Sequence, residues 1–165
     1  MRWRNHKIVT GLAIYSITGG FLSASVAAVG AILPDILEIG GLVKHRTITH
    51  WPYPYLGTAA VVYLWQNHNP SIIPYVIYYF VLGVVMHLLL DGLSISGIPV
   101  GSSPSSDKRI ALAVYKTSTP SEEITAAGLM LIFLATSYFR GFLGAGHVQL
   151  EVSLVTKLAG AVVGR

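Results

Sequence analysis

The sequence predicts an all-α fold: a compact, membrane-embedded helical bundle with two short helical hairpins and one long polar loop. Of its 165 residues, 53% are hydrophobic and only 11% are charged, which exceeds the apolar content that a soluble core of this size requires. Four apolar stretches follow one another, separated by glycine-rich or polar segments that indicate turns. The length fits a single domain that covers residues 1–165.

The first hairpin is predicted from the glycine pair in the first apolar stretch. Ile8 to Leu33 is long enough to span a membrane, but Gly19-Gly20 lies at its middle. If these glycines turn the chain, two short helices form and His6 and Asp35 return to one side. A straight helix would place them on opposite sides. Although residues 1–30 also resemble a secretory signal, we expect them to remain in the mature protein.

The second hairpin follows the same logic. Tyr53 to Gln66 is too short to cross a membrane comfortably, Asn67 to Pro70 forms a turn, and Ser71 to Leu93 has spanning length. Ile124 to Leu143 is a further stretch of spanning length. A weaker segment, Val148 to Val163, lies along the interface or caps the bundle.

The segment between the second hairpin and the last long helix is polar and rich in glycine, serine and proline. It runs from Ser94 to Ser118, and loops of this length are either disordered or functional lids. We expect a short strand within it, from Ile110 to Tyr115.

The distribution of basic residues predicts the orientation. Neither hairpin turn contains lysine or arginine, and eight of the eleven basic residues are predicted to lie at the other end of the bundle. Because cytoplasmic loops are enriched in these residues, we expect a membrane protein, multi-pass or partly embedded, with this end in the cytoplasm. The net charge of +4 is therefore explained without a nucleic-acid partner. The basic residues at this end are Arg2, Arg4, Lys7, Lys44, Arg46, Lys108, Arg109 and Lys116.

Histidine and aspartate residues at this end indicate a metal site. Cysteine is absent, so any metal must be held by nitrogen and oxygen ligands. In His87-x-x-x-Asp91 the two residues are four apart, which places them on one face of a helix. The alternative is a histidine–aspartate pair that only caps and solubilises the end of the helix.

A second cluster combines imidazoles with a guanidinium. His45-Arg46-x-x-Thr49-His50 offers two histidines and an arginine, and arginine suits bidentate contact with a phosphate. The alternative is a basic interfacial loop beside an aromatic belt formed by Trp51, Tyr53 and Tyr55.

Carboxylates supply further candidates. Pro34 biases Leu33 towards extended geometry and directs Asp35, with Glu38 nearby, out of the apolar layer; the alternative is a polar stop to the helix. Thr119-Pro120-Ser121-Glu122 fits a capping box with proline at the first helical position. Capping is therefore the favoured role of Glu122, and a metal role is secondary.

Taken in order, these motifs resemble the YdjM-type inner-membrane proteins. The resemblance extends from about His6 to Glu122 and includes Ser94-x-x-Gly97 after His87-x-x-x-Asp91. It implies a membrane-bound, metal-dependent hydrolase of the group that contains zinc-dependent phospholipase C and the P1-type nucleases, and it suggests a LexA-type repressor as a partner. The metal ligands that the resemblance implies are His6, Asp35, His45, His50, His87 and Asp91, with Glu122 as a secondary candidate.

The chain departs from the family pattern at two positions. Relatives commonly carry a second aspartate two residues after the Leu-Pro-Asp aspartate, whereas Leu37 stands here and the nearest acid is Glu38. The residue after the Thr-His pair is usually serine but is Trp51 here.

The sequence therefore predicts a hydrolase that cleaves a phosphoester of a lipid or lipid-like substrate at the cytoplasmic membrane face. A divalent metal, with zinc as the first expectation, would lower the pKa of a water molecule and polarise the phosphoryl oxygen. Arg46 would hold the phosphate, and Asp35 or Glu38 would act as ligand or general base. The alternative is a non-catalytic membrane adaptor or regulatory protein with a vestigial or structural metal site. A transporter is least favoured, because its ionisable residues would be spread through the membrane depth.

Overall fold

The computed structural model describes residues 1–39, 46–143, 147 and 156–157. His45 and most of the segment from Val148 to Val163 lie outside the described residues. The structure confirms the all-α prediction. The elements are α1 (Trp3–Thr18), α2 (Phe21–Gly30), α3 (Leu33–Ile36), a 3-10 helix (Ile48–His50), α4 (Pro52–His68), α5 (Ile72–Gly92), β1 (Ile98–Pro99), β2 (Arg109–Ile110) and α6 (Pro120–Phe139).

Both predicted hairpins are present. Gly19 ends α1 in the left-handed region, with φ of 70°, and its N–H donates to the Tyr15 carbonyl at 2.7 Å. A glycine adopts this conformation without steric cost, so the chain reverses here. The α2 helix begins at Phe21 and packs against α1. In the second hairpin α4 ends at His68, α5 begins at Ile72, and the two helices pack together.

The central helix is α5, and its contact with α2 is unusually close. It packs against α2 and α4, and α1 packs between α2 and α6. A Cβ on Gly83 would lie only 2.0 Å from the Ala27 carbonyl oxygen, and one on Gly30 only 2.1 Å from that of Phe80. The two backbones therefore touch at these glycines, which brings the end of α2 against the middle of α5.

Two local predictions are wrong. Leu33 is helical rather than extended, because α2 already ends at Gly30 and Leu33 opens the separate short helix α3, where Pro34 occupies one of the first positions. Asp35 nevertheless lies on the same side of the bundle as His6, as the hairpin prediction requires.

The expected strand from Ile110 to Tyr115 is also mostly absent. Arg109–Ile110 pairs antiparallel with Ile98–Pro99, and Tyr115 adds only an isolated bridge to Ser94. The strand is interrupted at Ala113, which has φ of 54°. The amides on either side of Ala113 donate instead to the carbonyls of Gly92 and Leu93 at the end of α5.

Within the described residues, α5 and α6 are the two helices long and apolar enough to cross a membrane, with mean hydropathies of 2.1 and 1.2. The α6 helix leaves much of its apolar surface exposed, up to 84% for Phe139. The two ends of the bundle differ in the part of the chain that the structure describes. Polar side chains lie at the end where α1 and α6 begin and α5 ends.

Candidate metal centre

Four of the described elements bring the predicted ligands together. His6 comes from the first turns of α1, Asp35 from α3, His50 from the 3-10 helix, and His87 and Asp91 from the end of α5. The rings of His6 and His87 stack with their centroids 3.9 Å apart. Because these two histidines are 81 positions apart in sequence, their contact is the direct result of the two hairpins.

The nitrogen and oxygen atoms of this cluster face one another. Asp35 Oδ1 lies 3.6 Å from Nε2 of both His50 and His87. Asp91 Oδ2 lies 3.5 Å from His50 Nε2 and 3.9 Å from His87 Nε2. Two overlapping groups, His6–His87–Asp91 and Asp35–His50–His87, each place their ligand atoms close enough to hold one metal ion.

Hydrogen bonds on the outer side of two rings define their tautomers. His87 Nδ1 lies 2.6 Å from the Ala31 carbonyl oxygen, which only accepts, so Nδ1 carries the proton. His50 Nδ1 lies 3.0 Å from Glu38 Oε1. Because a carboxylate oxygen also accepts, His50 Nδ1 carries the proton as well. Both rings therefore present the Nε2 lone pair inward, and these two nitrogens are only 3.2 Å apart. Facing lone pairs repel unless a cation lies between them, and this arrangement is typical of metal-binding histidines.

His6 is the least satisfied member of the cluster. It is fully buried, and neither ring nitrogen has a hydrogen-bond partner among the described residues. Its Nε2 lies 3.3 Å from Asp91 Oδ1, within ion-pair distance but without hydrogen-bond geometry. Burial lowers the pKa of His6 and raises the pKa of Asp35. Burial thus disfavours the charged forms of both side chains, and a bound cation would offset this effect at Asp35.

Asp91 is held by two basic groups. Its Oδ1 lies 2.9 Å from the amino nitrogen of Met1, and its Oδ2 lies 2.7 Å from Arg46 Nη2. Arg46 Nη1 also donates to Ser94 Oγ at 3.1 Å, and Arg46 Nε has no partner in the described part of the chain. Arg46 therefore orients an aspartate of the cluster, and its predicted contact with substrate phosphate stays a prediction.

Glu38 contacts the outer face of the cluster. Its Oε1 accepts hydrogen bonds from the His50 ring, from the Arg46 amide at 2.8 Å and from the Thr49 hydroxyl. Leu37, at the position where the family resemblance led us to expect an aspartate, is 47% exposed. Glu38 thus orients the His50 ring from the side opposite the facing lone pairs.

The comparison with protein families agrees with these motifs. A family model described as YdjM inner membrane protein matches residues 1–155. This chain belongs to the YdjM inner membrane protein family. No curated protein and no solved structure matches it. The family description and the two apolar helices together support membrane association. The link to zinc phospholipase C, the P1-type nucleases and LexA stays a prediction.

Glu122 lies outside both ligand groups of this YdjM-family chain. Its buried carboxylate accepts hydrogen bonds from the Arg2 amide at 2.6 Å, the Asn5 side chain at 2.9 Å and the Ser118 amide at 2.7 Å. The predicted capping box does not form, because the Thr119 hydroxyl donates to the Lys116 carbonyl instead. Glu122 therefore joins the start of α1 to the polar loop and α6.

The polar loop contributes contacts that sequence reasoning missed. Ser94 Oγ donates to the Asp91 carbonyl at 2.7 Å and receives a hydrogen bond from Arg46, which gives the Ser94-x-x-Gly97 motif a structural role. Trp51 Nε1 donates to the Gly101 carbonyl at 3.1 Å. Ser94 belongs to a motif of the family resemblance, although its contacts could not be predicted from it. The contact between the Ala31 carbonyl and His87 has no signal in the sequence, because every residue has a backbone carbonyl.

Two clefts open beside the cluster in this YdjM-family structure. The acidic cleft, about 340 Å³, contains three carboxylates and also basic groups; it is lined by Asp35, Glu38 and Asp91 together with Met1, Arg2, Arg46 and Thr117, among others. The basic cleft, about 320 Å³, is lined by Arg46, Ser96, Arg109 and Thr117. The two clefts share Arg46 and Thr117 and are therefore neighbours. A larger apolar groove of about 360 Å³ between α1, α2 and α6 contains no residue of the cluster.

Proposed function

We propose that this protein is a membrane-bound, metal-dependent hydrolase that cleaves a phosphoester of a lipid or lipid-like substrate. The observation that carries the proposal is the close approach of the Nε2 atoms of His50 and His87, which lie 3.2 Å apart. Their tautomers follow from the Ala31 carbonyl and the Glu38 carboxylate. Two buried nitrogen lone pairs that face each other repel, and a bound cation would relieve this repulsion.

The donor set fits a divalent metal. Three imidazoles and two carboxylates, without cysteine, are ligands that zinc accepts. We propose that His50, His87, Asp35 and Asp91 hold the ion and that His6 joins them through its unpartnered ring. His45 stays a proposed ligand from the family resemblance, since it lies outside the described residues. A bound divalent ion would polarise a phosphoryl oxygen and lower the pKa of a nearby water molecule.

The chain's own residues supply positioning and proton transfer. Asp35 lines the acidic cleft, its side chain is 16% exposed, and its Oδ1 faces the Nε2 atoms of His50 and His87. It can therefore accept a proton from the attacking water as the phosphorus–oxygen ester bond breaks, and that proton then passes to the leaving alcohol. Glu38 and Arg46 keep His50 and Asp91 in place.

We propose that the site faces the cytoplasm in a multi-pass protein. The starts of α1 and α6, the end of α5 and the polar loop all lie at the cluster end, and they carry most of the lysine and arginine residues of the described chain. The other end has Arg140, whose guanidinium donates to the carbonyls of Ser16 and Ile17 at the end of α1. The exposed apolar side chains of α6 suit contact with lipid.

The test combines metal content with phosphoester hydrolysis. We expect purified wild-type protein to retain zinc, measured by mass spectrometry, and His87→Ala to lose it. His68→Ala is the matched control, because His68 is exposed at the far end of α4. Asp35→Asn, which keeps the shape of the side chain, should reduce phosphate release from phosphatidic acid vesicles or from farnesyl diphosphate, whichever the wild type cleaves, by roughly 100- to 10,000-fold. Zinc content unchanged in His87→Ala would refute the site.

The second candidate is a non-catalytic membrane adaptor with a structural metal site. It is favoured by the ion pair that Asp91 makes with Arg46 at 2.7 Å and by Leu37 in place of the usual acid. Stoichiometric zinc without release of phosphate from phosphatidic acid or farnesyl diphosphate would select this alternative. Rapid release that depends on zinc would exclude it.

A further inference from the structure

We infer that the basic cleft binds a second, non-scissile phosphate, so that the substrate is a diphosphate ester rather than a monophosphate. This inference rests on the proposed function, because it assigns the substrate class of the same site. Its structural basis is the pair of adjoining clefts, of which, in the part of the chain that the structure describes, only one is lined by carboxylates. The acidic cleft carries the cluster carboxylates, whereas no carboxylate lines the basic cleft among the described residues.

Arg109 gives the basic cleft its uncompensated charge. Its guanidinium donates to two backbone carbonyls, that of Ser96 at 3.4 Å and that of Arg46 at 3.2 Å. It forms no ion pair with any carboxylate in the described part of the chain. These contacts hold the guanidinium at the cleft without neutralising it. A held but unpaired arginine beside two hydroxyl side chains, Ser96 and Thr117, is suited to a phosphate.

Arg46 connects the two clefts. It lines both of them, and its Nε has no hydrogen-bond partner although its side chain is only 9% exposed. Its backbone has φ of 56°, an uncommon conformation for a residue other than glycine. In this conformation its N–H binds Glu38 of the acidic cleft and its carbonyl binds Arg109 of the basic cleft.

Arg46 and Thr117 line both clefts, and this limits the kind of ligand that can occupy both clefts at once. A phosphate next to the metal ligands would occupy part of the acidic cleft beside Arg46, and Arg109 of the basic cleft would then be available to a neighbouring anionic group of the same ligand. A diphosphate places two anionic groups next to each other, which matches this arrangement. The diphosphate could belong to a soluble molecule or to a lipid headgroup, and the chemistry recognised is the same.

The test is calorimetric titration of the zinc-loaded full chain in detergent with inorganic diphosphate and with orthophosphate. We expect wild-type protein and Lys108→Gln to bind diphosphate at least roughly ten times more tightly than orthophosphate. Arg109→Gln should weaken diphosphate binding by roughly 10- to 100-fold, as expected for lost charge-assisted hydrogen bonds. Lys108 is the matched control because it is an exposed neighbour that does not line the cleft. Arg109→Lys should recover part of the affinity.

The outcomes separate this inference from the proposed function. Diphosphate itself binds zinc, but it does so equally in every sample, so the difference between variants reports the cleft. Equal affinity in Arg109→Gln and Lys108→Gln would overturn the inference and leave the zinc and hydrolysis results intact. Loss of zinc in His87→Ala is independent of this result. Tighter binding of farnesyl diphosphate than of inorganic diphosphate would assign a lipid source, and equal binding would assign a soluble one.

Discussion

Removing the carboxylate of Glu38 should weaken zinc binding even though this residue does not face the metal site. Its Oε1 accepts the proton of His50 Nδ1 at 3.0 Å and thereby directs the Nε2 lone pair inward. In Glu38→Ala the ring loses this acceptor, and it can rotate or adopt the other tautomer. Glu38→Gln retains an oxygen acceptor but loses the charge, so we expect an intermediate affinity.

The magnitude follows from the contacts. Loss of an outer hydrogen-bond partner of a metal-binding histidine typically reduces metal affinity by about 10- to 100-fold, which corresponds to about 1.4 to 2.7 kcal/mol. The Thr49 hydroxyl and the Arg46 amide lose the same acceptor. Each donor left without a partner costs about 1–3 kcal/mol of stability where water cannot replace it.

Competition titration with a zinc chelator measures this effect, with thermal melting as a separate measure of folding. Glu123→Ala is the control, because Glu123 is a partly exposed acid that pairs with Arg2 and Arg4 and belongs to neither ligand group. The expected order of zinc affinity is wild type and Glu123→Ala, then Glu38→Gln, then Glu38→Ala. If Glu38→Ala binds zinc as tightly as Glu123→Ala, the tautomer argument is wrong.

Two further predictions concern packing. Gly83→Ala places a Cβ 2.0 Å from the Ala27 carbonyl oxygen, so α2 and α5 must separate. We expect a loss of about 1–3 kcal/mol of stability and weaker zinc binding through His87, whereas Gly128→Ala, with open space around it, should change neither. Glu122→Ala leaves three buried or half-buried donors unpaired and should cost about 3 kcal/mol in denaturant unfolding; zinc stoichiometry that falls with it in folded protein would instead place Glu122 at the metal.

Much of the fold could be predicted because it depends on local chemistry. The glycine pair at Gly19-Gly20 and the polar turn from Asn67 to Pro70 interrupt stretches that are otherwise apolar, and both become turns. The wrong predictions, at Leu33 and in the segment from Ile110 to Tyr115, concern a helix start and a loop conformation. At Leu33 a separate short helix begins, and in the loop the hydrogen bonds to the end of α5 outweigh the strand preferences of single residues.

The sequence by itself determined which residue types collect at one end of the bundle, since hydrophobic pattern and turn positions decide which side each segment returns to. Only the tertiary structure decided how those groups are used. It assigned Glu38 to the outer face of His50, paired Arg46 with Asp91, and placed the Ala31 carbonyl on His87 across 56 positions of sequence. Every residue carries the same carbonyl group, so its contacts depend on backbone packing and leave no trace in the amino-acid sequence.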